Sequence, residues 1–160
     1  MKYLFSQFDY DELVKKFHDS AQRLKKSNID AIESTEESSE TWHDNWRFEE
    51  GVRQSMMLSK QLEDVRNVLI NSKVIDKLDS RTLLGFKIKF KRGRRKREVI
   101  VGSYFTFSTN KNIASYSAPL IQALKGLKSG EQTRFGPRKE LLIMISTEPF
   151  PKYFLSSFQK

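Results

Sequence analysis

The sequence predicts an α+β protein: an N-terminal antiparallel coiled-coil helical hairpin over residues 1–76, then an antiparallel β domain with one short helix over residues 77–160. Three observations carry this. Up to about residue 72, apolar residues recur at steps of three and four; beyond residue 76 they alternate. Charge divides at nearly the same place, since residues 1–80 hold 12 Lys+Arg against 16 Asp+Glu and residues 81–160 hold 17 against 4. An acidic module and a basic one are therefore expected, the basic one facing nucleic acid or an acidic protein.

The first helix is expected from Asp9 to about Ser38, a stretch with neither Gly nor Pro. Leu13, Phe17, Ala21 and Leu24 form a narrow stripe, which resumes at Ile29 and Ile32 after a phase slip near Asn28. The second is expected from Asp44 to about Ser72. There Phe48 and Val52 lead into Leu58, Leu62, Val65 and Leu69, the seam of a coiled coil, with Gly51 its weak point. The polar segment at 33–44 is short and rich in capping residues, with Asp44 a reasonable N-cap, so the helices should form an antiparallel hairpin. Arms of roughly 30 residues at ~1.5 Å per residue make a rod of about 45 Å.

After Asp76 the period changes to two. Leu84, Phe86, Ile88 and Phe90, then Val99 and Val101, frame the basic run KRGRRKR and predict a β-hairpin with Gly93 in its turn. YFTF at 104–107 reads as a further strand. PLIQALKG at 119–126 reads as a short helix with Pro119 in its first turn and Gly126 at its end. LLIMI at 141–145 reads as a buried closing strand, and residues 149–160 as an aromatic, Pro-containing tail.

Composition excludes several functions. The chain has no Cys and two His, His18 and His43, which leaves no disulfide framework, thiolate site or zinc centre, so no intrinsic cofactor is expected. No run of apolar residues is long enough for a membrane span, so a soluble, cytoplasmic monomer with no membrane partner is expected.

Two blocks resemble a known family. Ser117-Ala-Pro-Leu-Ile-Gln-Ala-Leu-Lys-Gly-Leu-Lys-Ser-Gly-Glu131 is similar to the C-terminal signature of the Gre transcript-cleavage factors, and residues 44–76, from Asp44-Asn-Trp to Val-Ile-Asp76, to their second coiled-coil arm. The blocks keep the family's order and separation, with VIVG at 99–102 in the usual strand position. The resemblance implies a transcription elongation factor that binds bacterial RNA polymerase. Its coiled coil would enter the secondary channel, and an FKBP-like C-terminal domain would dock on the channel rim, with Ser117, Pro119, Leu120 and Gly126 in the docking segment. It implies an accessory role, not an enzyme: two tip carboxylates help hold Mg²⁺ in the polymerase's own centre, where nascent RNA in a backtracked complex is cut.

The tip departs from the family pattern Gly-Asp-x-x-Glu-Asn, reading Glu40-Thr41-Trp42-His43-Asp44-Asn45. Asp44 matches the second acid. Thr41 stands where the first belongs, which leaves Glu40 beside it as the substitute and Glu36 and Glu37 in reserve. Trp42 would brace the tip or touch the channel wall, and His43 has no evident partner. Because placement errors of about 1 Å can cost on the order of 100-fold in rate, two readings stand: stimulated cleavage, or a channel regulator that does not cleave.

The turn residues Lys91, Arg92, Arg94, Arg95, Lys96 and Arg97 suit phosphate contacts on DNA or RNA; the bland alternative is a solvated hairpin whose charges guard an edge. Two further readings are a prolyl isomerase, from the fold alone, and a nucleic-acid module that never meets polymerase.

Overall fold

The computed structural model describes residues 2–37, 46–110, 112–155 and 158. The chain forms two compact units, Glu12–Asn71 and a second made of Met1–Asp11 with Ser72–Lys160. The second unit is thus discontinuous, and it includes an N-terminal segment that the expected division at residue 76 assigned to the hairpin.

The first unit holds most of helix α1 (Gln7–Glu37) and all of α2 (Trp46–Ile70), within two residues of the expected bounds. In α1 the stripe Leu13, Phe17, Ala21 and Leu24 is buried or half-buried, and in α2 so are Val52, Leu58, Leu62, Val65 and Leu69. Beyond Leu24 the apolar reading fails: Ile29, Ile32 and Phe48 are exposed by 43%, 60% and 38%. Ser27 continues the stripe instead, and its Oγ lies 3.2 Å from Ser55 Oγ of α2. The expected cap Asp44 lies outside the described residues.

The start of α1 belongs to the second unit and shows why the helix begins there. Ser6 Oγ accepts a hydrogen bond from the backbone N–H of Asp9 (3.2 Å) and donates to Asp9 Oδ2 (2.9 Å), an N-terminal cap of the Ser-x-x-acid kind.

Five strands of the second unit form one sheet: β3 (Phe86–Arg92), β4 (Arg95–Gly102), β5 (Ile113–Ser115), β6 (Gln132–Phe135) and β7 (Glu140–Pro149), in the order β5-β4-β3-β7-β6. A two-stranded parallel sheet joins β1 (Tyr3–Phe5) to β2 (Ser72–Val74). The domain is therefore mixed and not wholly antiparallel, because β4 and β5 also pair in parallel. Between β3 and β4 the two-residue turn Gly93-Arg94 puts Gly93 at φ 60°, where a side chain would be strained.

Helix α3 (Pro119–Leu124) buries Ile121 and Leu124 against Ile88, Phe90, Val101, Leu142 and Met144, the main core. Ile100 points the other way and joins Leu84 and Tyr153 in a second cluster with Ile75, Phe150 and Phe154. Gly102 allows the close approach of this second layer: a Cβ there would stand 2.6 Å from methyl groups of both Ile113 and Thr106.

Three expectations need correction. YFTF is not a strand; the Tyr104 N–H donates to the Leu4 carbonyl (3.1 Å) and the Phe107 N–H to Asp9 Oδ1 (2.8 Å), so its backbone is satisfied outside any ladder. LLIMI is not buried throughout and does not close the sheet. It lies inside β7, between β3 and β6, burying Leu142 and Met144 while Leu141 and Ile145 are exposed. The C-terminal segment is not merely a tail, since Pro151–Phe154 forms a 3-10 turn that buries Tyr153 completely.

Candidate functional site

The Ser117–Glu131 segment is fixed by bonds within itself and to its neighbours, including the Gly130 N–H to the Met144 carbonyl at 2.9 Å. Ser115 Oγ donates to the Tyr104 carbonyl (2.7 Å), accepts the Ser117 N–H (3.1 Å) and lies 2.8 Å from Ser117 Oγ. Pro119 then opens α3 with its ring-fixed φ, and Gln122 Nε2 donates back to the Tyr116 carbonyl (2.6 Å). Gly126 follows the helix at φ 85°, and Glu131 accepts the Lys128 N–H at 2.8 Å. Of the four expected docking residues, Ser117, Pro119 and Gly126 are exposed, whereas Leu120 is half-buried against the main core.

Ser117 and Gln122 border a cleft of about 710 Å³. Tyr3, Tyr104 and Tyr116 line it, the first two rings 4.4 Å apart and the last two 6.2 Å apart. Tyr116 Oη accepts the Leu4 N–H at 3.1 Å, and partial burial raises the pKa of its hydroxyl. Lys2, Lys73, Lys77, Arg81 and Lys125 surround the rings. The one acid there, Asp79, turns into its own loop and accepts from the Thr82 N–H and hydroxyl. Sequence reasoning missed this cleft because Tyr3 lies far along the chain from Tyr104 and Tyr116.

A buried polar centre lies elsewhere in the same unit. Asp9, 1% exposed, accepts from Tyr153 Oη (2.7 Å), Ser6 Oγ and the Phe107 N–H. Tyr153 Oη in turn accepts the Ser103 N–H at 2.9 Å, and Ser103 Oγ accepts the Ser6 N–H at 2.8 Å. Burial, reinforced by the Asp9 charge, pushes the Tyr153 hydroxyl well above its ordinary pKa of 10.0. The group is closed to solvent and reads as a structural clasp, not a reactive site.

At the basic hairpin, Lys91 faces Lys96 and Arg92 faces Arg95 directly across the ladder. Arg92 pairs with Glu140 and lies over the Phe135 ring, 5.9 Å from its centroid. The expected tip residues Glu40, Thr41, Trp42, His43, Asp44 and Asn45 lie outside the described residues. Glu36 and Glu37 occupy the last turn of α1 by backbone. Trp46 opens α2 and is 64% exposed.

Among solved structures, GreA factor homolog 1 (Gfh1) of Thermus thermophilus is similar at TM-score 0.44 and 15% identity, covering 92% of this chain and 99% of that one. Gfh1 of Thermus aquaticus gives 0.42 and 15%, over 92% and 98%. The likeness is to Gre-type factors. Prokaryotic transcription elongation factor GreA/GreB from Nitrosomonas europaea gives 0.34 and 12%, over 92% and 98%. No family model and no curated protein matches the chain. The two sequence blocks that resemble the Gre factors fall on α2 with its exit through β2, and on the turn, helix and turn of Ser117–Glu131. Among the described residues, no helix is long and apolar enough to cross a membrane.

Proposed function

We propose that this chain is an accessory factor of bacterial RNA polymerase, with α1 and α2 forming an antiparallel coiled-coil hairpin that enters the secondary channel and the strand unit docking on its rim. The observation that carries this reading is the way each Gre-like block falls on a continuous run of regular structure. From Trp46 to Asp76 the first block runs through α2 and β2, and Ser117–Glu131 carries α3 between two turns beside an open tyrosine-lined cleft. The half-buried heptad stripes of the two helices, with the Ser27–Ser55 contact between them, support the hairpin.

On this reading the protein is not itself an enzyme. Asp44 and Glu40 would lend carboxylates to the Mg²⁺ of the polymerase, whose own centre would then cut backtracked nascent RNA. Thr41, in place of the first tip acid, favours a second reading in which the hairpin occupies the channel and regulates polymerase without cleavage.

A backtracked elongation complex separates the two. Saturating factor should release short 3′ RNA fragments, and Asp44→Ala should suppress them by at least about tenfold. Binding with slowed transcription and no fragments establishes the regulator. Absence of any binding to polymerase rejects both.

A further inference from the structure

The fold brings a second basic turn beside the first. Because β7 pairs with β3 and with β6, the β6–β7 turn, Gly136-Pro137-Arg138-Lys139, lies at the same end of the sheet as Gly93-Arg94. The Gly93 N–H donates to the Leu141 carbonyl at 3.1 Å, which ties the turns together. Two concave surfaces result. One, of about 450 Å³, is lined by Arg92, Arg94, Arg95, Arg97 and Glu140; the other, of about 260 Å³, shares Arg92 and Glu140 and adds Arg138. Sequence reading found the first turn and not the second, since 41 positions of chain separate Arg97 from Arg138.

The charges at this end are unbalanced in a way the rest of the sheet is not. Residues 81–160 contain four acids. Glu98 lies 3.9 Å from Lys87, Glu148 pairs with Lys89 at 2.9 Å, Glu140 with Arg92, and Glu131 caps a backbone N–H. Among the described residues, Arg94, Arg95, Lys96, Arg97, Arg138 and Lys139 have no ion-pair partner. Like charges directly opposed on neighbouring strands, as at Lys91 and Lys96, destabilise a ladder.

Guarding an edge explains only part of this set, Arg95, Lys96 and Arg97, where β4 has no partner on its β5 side. β3 lies between β4 and β7 along its length, and Arg138 and Lys139 are on a different turn from the open start of β4. Guanidinium forks suit phosphate oxygens. Single strands are held by bases stacked on exposed rings, and the ring at this end, Phe135, is half-buried beneath Arg92. The site therefore offers positive charge to a phosphate backbone and no exposed ring on which an unpaired base could stack.

We propose that the β3–β4 and β6–β7 turns form one docking surface for the phosphate backbone of duplex DNA. It stands apart from the polymerase reading, because it needs no polymerase.

The test is binding of the full chain to a labelled duplex, a single strand of equal length and polyglutamate across a salt series. The duplex should bind tightest, with log affinity falling by about 0.9 per log unit of salt for each phosphate neutralised. Arg138→Glu with Lys139→Glu should weaken duplex binding roughly tenfold or more and flatten that slope, as should Arg94→Glu with Arg95→Glu. Lys87→Gln with Lys89→Gln, at the neutralised end, should change affinity less than about twofold. Lys139 sits at φ 47°, so Lys139→Gly relaxes its backbone while removing its charge, and should raise thermal stability yet weaken binding. Duplex binding untouched by the Arg138/Lys139 variants, or matched by single strand or polyglutamate, overturns the proposal. A chain that binds duplex but never polymerase would leave it standing while rejecting the factor reading.

Discussion

The two units solve the problem of burying apolar surface in opposite ways. In the strand unit Leu84, Ile88, Val101, Ile121, Leu124, Leu142 and Tyr153 are all wholly enclosed, and polar groups within are paired. In the helical unit Leu13 is the one fully buried apolar residue among those described, and the remaining seam is half-covered. A narrow seam leaves most of each helix solvated, whereas a two-layered core fixes the loops that carry Ser117 and the tyrosine cleft.

The sharpest way to break this contrast is to excavate both units. Leu142→Ala should cost about 2–5 kcal/mol, and Leu62→Ala in α2 well under half of that, read from thermal unfolding by circular dichroism. Equal costs would mean that the helical seam is as well packed as the core. Next in size, Tyr153→Phe leaves the buried Asp9 carboxylate and the Ser103 N–H short of a partner, and should cost about 1–3 kcal/mol.

The same residue sets a pH dependence. The folded-state pKa of Tyr153 is raised, so its contribution is fully present below the unfolded value of 10.0. Above that pH the unfolded chain releases the proton while the folded chain still holds it, and stability falls as pH rises toward the folded value. Stability measured from pH 8 to 11 should therefore fall more steeply in the wild type than in Tyr153→Phe.

Smaller effects probe the seam and the surface. Replacing Ser27 and Ser55 together by Leu should stabilise the helical unit by about 1 kcal/mol, since two hydroxyls then give way to apolar contact. Lys89→Gln, which breaks an exposed pair with Glu148, should move the melting point barely at all.

Much of this contrast was legible in the residues, and the failures share a cause. Helix spans followed from three-four spacing, and the hairpin from alternation around Gly93. Ile29 and Ile32 misled because periodicity registers apolar character and not which residue meets the partner helix, a place that Ser27 takes opposite Ser55. YFTF alternates too little to reveal that Tyr104 is a hub for Tyr3, Phe105 and Tyr116. Nothing near Tyr153 signals burial, because its partners Asp9 and Ser103 are remote in sequence and a tyrosine in an aromatic, Pro-rich stretch reads as exposed. The second basic turn escaped for a similar reason: Arg138 and Lys139 look ordinary until the β3–β7 register sets them beside Arg94.

The clasp between Asp9 and Tyr153 spans 144 positions of chain. During synthesis the helices, whose contacts are local, can form as they emerge, while β1 must wait for β2 and Asp9 must wait for almost everything that follows. An earlier segment of the strand unit is thus held by a later one, with the whole helical unit between them in the chain. Until Tyr153 arrives, the Asp9 carboxyl and the Ser103 N–H each lack one of their bonds, so the last hydroxyl completes a group that the earlier segments have already assembled.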